Sequence, residues 1–147
     1  MNEGEVAAKL NLQGSCLCGE VQISLPEVSS SLGVCHCSMC QQWGGGPFMS
    51  LEAGENINIS GADSVARFTS SDWAERAFCK HCGTHLYYRF KGNNGHHVLA
   101  GLFGRDAPLQ LDHQIFIDEK PSYYNFSEES QKMTGEEVMA MFQGEEG

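Results

Sequence analysis

Seven cysteines fall into three short clusters: Cys16-Leu17-Cys18-Gly19, Cys35-His36-Cys37-Ser38-Met39-Cys40 and Cys79-Lys80-His81-Cys82-Gly83. A cysteine sulfur works as a thiolate, either as a nucleophile or as a metal ligand. The third cluster has zinc-knuckle spacing: two cysteines two residues apart reach one ion across a tight turn, and the following glycine supplies the positive φ such a turn often needs. The first cluster reads as extended, so residues i and i+2 share a face and both sulfurs can meet one ion.

Counting then separates two kinds of site. Closed structural zinc takes four ligands, whereas catalytic zinc takes three protein ligands and keeps a fourth position open. Two plus two assigns Cys16, Cys18, Cys79 and Cys82 to a closed site and leaves Cys35, Cys37 and Cys40 as a set of three. Spacing alone does not force this pairing, since Cys16 and Cys18 could join two members of the triplet instead. A histidine could also close the triplet. His36 sits between two ligands and would point to the opposite face of an extended segment, which leaves His81, His85, His96, His97 and His113.

The elements that must position these sulfurs are mostly strands. The stretch from Asn11 to Glu27 predicts a strand, a turn at Gly14, and a strand through Val21, Ile23 and Leu25 that Pro26 ends. Further strands are expected at 47–51, 57–60, 66–69, 85–90, 97–102 and 114–117, separated by polar and glycine-rich breaks. They suggest one compact β domain, with the strands divided between two packed sheets. Ser38 to Trp43 predicts a short helical turn. Thr134 with Glu137 forms a capping-box pattern ahead of Val138, Met141 and Phe142, a stripe suited to docking on the core. The closing GEEG reads as a frayed end.

The chain has 147 residues and a net charge of −10. That balance argues against a nucleic-acid or membrane-surface binder, which would show a basic face. The N-terminal stretch lacks the continuous apolar core of a secretory signal, and no run reaches the roughly 18 apolar residues of a membrane helix. A cytoplasmic protein is expected. In a reducing compartment, seven cysteines point to metal ligands before disulfides.

The blocks GSCLCGEVQISL, CHCSMCQQWGGGPF and FCKHCGTHLYYR resemble the three signature blocks of the glutathione-dependent formaldehyde-activating enzymes, a family that includes relatives of centromere protein V. Order, cysteine spacing and gaps all match over about residues 12 to 126. The resemblance implies a mainly β, single-domain, β-tent-like fold of short antiparallel strands, with a short C-terminal helix. It implies residues 1–11 as an N-terminal extension, 12–126 as the zinc-binding domain and 127–147 as an acidic tail. It also implies two zinc ions per chain: a structural one on Cys16, Cys18, Cys79 and Cys82, and a catalytic one, held loosely enough to be only partly occupied, on Cys35, Cys37 and Cys40. The implied reaction is carbon–sulfur lyase chemistry, joining glutathione and formaldehyde to S-hydroxymethylglutathione or cleaving that adduct.

The chemistry suits three thiolates and a gap. A free thiol of pKa about 8.5 is little ionised at neutral pH, and binding to zinc favours the thiolate. The loop after the triplet would shape the pocket, with Gly44 and Gly45 allowing close backbone approach and Trp43 and Phe48 as walls. Arg67, Arg76 and Arg89 are candidates to meet glutathione carboxylates. No proton donor is evident from the sequence. The partners expected are a small-molecule thiol and a small aldehyde, with no nucleic acid and no membrane. The rival readings are a non-catalytic, zinc-stabilised protein-binding module of the same fold and a redox protein using the triplet as reactive thiols.

Overall fold

The computed structural model describes residues 8–146 of the chain, and the side chains up to Met141. Residues 1–7 of the N-terminal extension and the terminal Gly147 lie outside the described residues, as does the side chain of Phe142. In chain order the elements are β1 Lys9–Ser15, β2 Gln22–Ser29, β3 Ser31–Cys35, α1 Ser38–Gly44, β4 Phe48–Gly54 and β5 Asn58–Ser60. They continue with β6 Val65–Ser71, β7 Ala74–Cys79, β8 His85–Phe90, β9 Gly95–Leu99, β10 Gln110–Ile115, β11 Gln131–Lys132 and α2 Gly135–Glu146. The fold is mainly β, as expected, with the strands divided between two open sheets.

The chain divides into two compact units. The first comprises the residues up to Ser31 together with Ser50–Leu109; the second comprises Leu32–Met49 and the chain from Gln110 onward. In the first unit, β2 pairs antiparallel with β1 and β5, and β9, β8, β7 and β6 form an antiparallel run that β4 joins through β9. Alternation along β2 buries Ile23 and Leu25 and leaves Gln22 exposed. Leu51, Leu86, Tyr87, Val98 and Ala77 are likewise closed to solvent. Each fully buried aliphatic side chain stabilises by about 2 kcal/mol, so the strand ends that carry cysteines rest on a firm base.

Two sequence expectations in this unit are corrected. Gly14 lies inside β1, not at a turn, and its backbone packs so closely on Leu102 that a Cβ there would meet the Leu102 carbonyl oxygen at 2.3 Å. Pro26 does not end β2. Leu10 pairs with Val28 and Leu12 with Leu25, so Pro26 and Glu27 together oppose Asn11. This is a bulge, with Glu27 at φ 53° and its N–H donating to Asn11 Oδ1 at 3.2 Å. A bulge is where a strand tolerates a residue that lacks an N–H.

In the second unit, β10 lies between β3 and β11, and the β10–β11 pair is parallel. The capping box of α2 forms in full: Thr134 Oγ1 accepts from the Glu137 N–H at 3.1 Å, and Glu137 Oε1 accepts from the Thr134 N–H at 3.0 Å. Of the predicted stripe, Val138 is buried but Met141 is 54% exposed, so the docking face is narrower than expected. The helix runs through Glu146, past the point where a frayed end was expected.

Candidate metal centres and their surroundings

The first unit brings Cys16, Cys18, Cys79 and Cys82 together, with all four sulfurs within 4.8 Å of one another. Cys16 follows β1, Cys18 lies in the turn to β2, Cys79 ends β7 and Cys82 lies in the turn to β8. Sulfurs on one tetrahedral zinc, each about 2.3 Å from the ion, stand about 3.8 Å apart. The Cys16–Cys18 and Cys18–Cys79 sulfurs are 3.6 and 3.7 Å apart. The knuckle turn closes through the Gly83 N–H to the Cys79 carbonyl at 2.8 Å, with Gly83 at φ 78° as its sequence position anticipates.

Thr84 ties the two halves of this cluster. Its Oγ1 accepts from the Leu17 N–H at 3.1 Å and donates to Cys82 Sγ at 3.1 Å. That hydroxyl is the chief reason the Cys82 thiol is pushed down to about 5. Cys18 moves the other way. The Glu20 N–H favours its thiolate, but desolvation and the three neighbouring sulfurs outweigh this and push it up to about 12. Crowded sulfurs competing for protons in this way are a donor set that a cation completes.

The second unit brings Cys35, Cys37 and Cys40 within the same 4.8 Å. Among the described residues no histidine or carboxylate joins them, so the pairing left open by spacing resolves as four plus three. Cys35 ends β3. Cys37 is the N-cap of α1, with its sulfur accepting from the Cys40 N–H at 3.3 Å. Cys40 lies buried in the first turn. Glu119 Oε1 accepts from the Ser38 N–H at 2.8 Å, satisfying another free donor at the start of α1. The helix ends at Gly44 and is capped by Gly45, whose φ of 83° is left-handed. The thiols of Cys37 and Cys40, together with burial, push Cys35 well up, so these three sulfurs are likewise a donor set that a cation would complete.

His36 points away from the sulfurs, as the period of an extended segment anticipates. It is fully buried, with Nδ1 2.7 Å from the Tyr124 hydroxyl and Nε2 2.8 Å from Gln114 Oε1. Both ring nitrogens are therefore engaged, and His36 cannot close the triplet. Burial, with the Lys120 charge adding to it, lowers its pKa and keeps it neutral. His113 contacts Asp112 at 3.1 Å, its ring packed against Gly33.

The orientations of two side-chain amides, Gln41 and Gln114, set the protons in the network around His36. Gln41 Nε2 lies 3.3 Å from the His36 carbonyl oxygen and 2.7 Å from the Tyr124 hydroxyl. Only the amide nitrogen can face a carbonyl oxygen, so Gln41 donates to Tyr124. Gln114 Oε1 accepts at Nε2, so Nδ1 of the neutral ring is an acceptor and Tyr124 donates to it. His36 carries its proton on Nε2 and donates to Gln114 Oε1, and Gln114 Nε2 faces Ser130 Oγ at 2.9 Å. Gln41 Oε1 is left buried with no donor among the described residues. Gln41, Tyr124 and Gln114 escaped the sequence reading. Gln41 had only its place after Cys40 to mark it, and the others lie far along the chain.

Of the predicted pocket residues, Trp43 and Phe48 meet edge to face with centroids 6.0 Å apart. Phe48 is buried and Trp43 half-buried, while Gly44 and Gly45 are exposed, with open space where a Cβ would project. The three arginines are engaged elsewhere. Arg89 and Arg67 share Glu75, and the buried Arg76 lies over the Tyr88 ring at 5.1 Å.

Comparison with known proteins identifies the family. The family model described as glutathione-dependent formaldehyde-activating enzyme matches residues 11–119. An uncharacterized lyase of Schizosaccharomyces pombe is 35% identical over 128 residues, 86% of this chain and 93% of that protein. A crystal structure of a Rhodobacter sphaeroides protein shares the fold, with a TM-score of 0.55 at 22% identity, over 66% of this chain and 92% of that one. No helix among the described residues is long and apolar enough to cross a membrane.

Proposed function

Since the chain belongs to the glutathione-dependent formaldehyde-activating enzyme family, we propose that it is a zinc-dependent carbon–sulfur lyase acting on a glutathione-type thiol adduct, with S-hydroxymethylglutathione the reference adduct. One observation carries the reading: Cys35, Cys37 and Cys40 converge without a fourth protein ligand among the described residues. The lyase name of the Schizosaccharomyces pombe relative supports the reaction class.

Cys16, Cys18, Cys79 and Cys82 would hold a structural zinc, and Cys35, Cys37 and Cys40 a catalytic one. A zinc ion on three thiolates, with a formal charge of minus one, would bind a substrate thiol in its open position and favour the thiolate without quenching its nucleophilicity. The chain's own residues do the rest. Trp43, Gly44, Gly45 and Phe48 wall the approach, with exposed backbone at the glycines. The buried network under His36 holds the segment carrying all three cysteines in one conformation. The partners are a small thiol such as glutathione and a small aldehyde, in a reducing cytoplasm that keeps substrate and cluster as thiols.

The test is metal content with ligand exchange. The native chain should carry two zinc ions, and Cys37→Ser should lose one of them along with at least 100-fold in activity. Glutathione should change the thiolate-to-metal absorption of the cobalt-substituted chain. Two metals indifferent to glutathione would instead indicate a zinc-stabilised protein-binding module.

A further inference from the structure

Thiolates that hold a cation are also the groups an oxidant attacks, and a disulfide formed between two of them removes two ligands at once. We propose that Cys18 is an oxidation site: it reacts with a small hydroperoxide and then bridges to Cys79, so that the four-sulfur site loses its zinc and keeps its cross-link. This requires the structural zinc on Cys16, Cys18, Cys79 and Cys82 but not the lyase chemistry of the triplet.

Exposure singles out Cys18. Cys16 and Cys79 are buried and Cys82 is half-buried, whereas Cys18 is exposed. Its neighbours in the turn, Leu17, Gly19 and Glu20, are exposed as well, so the sulfur lies in an open loop. With zinc bound, all four sulfurs are thiolates. Reach then decides which of them an oxidant meets first.

Geometry singles out Cys79 as the partner. The Cys18 sulfur lies 3.6 Å from that of Cys16 and 3.7 Å from that of Cys79. A bridge between residues 16 and 18 closes a small ring that strains the disulfide dihedral away from its preferred value of about 90°. Cys79 comes from the end of β7 and is free of that constraint. The resulting bridge joins the β1–β2 turn to the end of β7, as the ion does, across 61 positions. One long-range cross-link replaces another, so the chain stays folded without metal.

The step balances. The Cys18 thiolate attacks one peroxide oxygen, the O–O bond breaks and hydroxide leaves. The Cys79 thiolate then attacks the Cys18 sulfur, the S–S bond forms and the added oxygen leaves as a second hydroxide. Two thiolates give up two electrons and the peroxide is reduced by two. A free thiol such as glutathione reverses the bridge, and the site can reload.

The test compares the native chain with Cys37→Ser, which should keep only the four-sulfur zinc. Hydrogen peroxide should release that zinc to a chelating dye about 10-fold faster than the dye alone does. Peptide mapping by mass spectrometry should find residues 18 and 79 joined in both chains. Circular dichroism should show the oxidised, metal-free chain folded, and dithiothreitol with zinc should restore the starting state. Zinc that resists peroxide, bridges confined to other cysteine pairs, or an oxidised chain that unfolds overturns the inference. The glutathione response of the cobalt-substituted native chain reads the lyase proposal separately.

Discussion

The two cysteine clusters present similar sulfurs in opposite structural roles. The four-sulfur cluster joins the β1–β2 turn to the β7–β8 turn, with Cys18 and Cys79 separated by 61 positions. A cation there closes a long loop and is coupled to folding. The triplet lies within six residues, so a cation there closes almost no chain. Its geometry is held from the side by hydrogen bonds that run from Gln41 through Tyr124 and His36 to Gln114. Loaded with metal, one cluster would therefore support the fold, whereas the other is supported by it, as the ligand exchange proposed for it would require.

The sharpest way to break that contrast is to compare Cys79→Ser with Cys37→Ser. Cys79 is fully buried at the end of β7. Its loss should cost several kcal/mol and leave the chain unfolded or aggregated at 37 °C. Serine at 37 can still cap α1, so that variant should unfold within about 1 kcal/mol of the native chain. Thermal unfolding followed by circular dichroism reads both. Equal losses would show that the triplet also holds the fold.

Next in size is Gln114→Leu, which removes the acceptor of the His36 Nε2–H in a fully buried place. An unpaired buried donor costs about 1–3 kcal/mol. Denaturant unfolding should show that loss, and the cobalt absorption of the triplet should change while that of the four-sulfur site stays fixed. A shift in both bands would mean that the network does not serve the triplet alone.

How much of this was legible follows from the range of each signal. Ligand spacings of two and three residues, the outward turn of His36 and the capping box at Thr134 are local, and the sequence discloses them. β3 and β7 were hidden by residues that contradict a strand pattern. Gly33 breaks β3, yet a Cβ there would meet the His113 ring at 2.5 Å. Arg76 reads as a surface charge in β7 but is buried over Tyr88. The two-residue β11 carries too short a pattern to see. The Tyr124–His36 and Gln114–His36 bonds span 88 and 78 positions and leave no periodic trace.

The smallest effect concerns how the four-sulfur site resists acid. Thr84→Val would strip the Leu17 N–H of its acceptor and Cys82 of its hydroxyl donor, at a cost of about 1 kcal/mol in stability. The sign of the pH effect follows from Cys82. Its thiol is held at about 5, below the ordinary thiol value, chiefly by the Thr84 hydroxyl. The thiolate therefore persists in moderate acid, and protons displace a bound metal only as pH falls toward that value. Without the hydroxyl the thiol rises, protons compete earlier, and the midpoint for metal release from this site should move to higher pH. A metal-chelating dye followed through an acid titration reads that midpoint. Thr84 bonds within the four-sulfur site, so release from the triplet should be unchanged, and a parallel shift at both sites would break the separation between them.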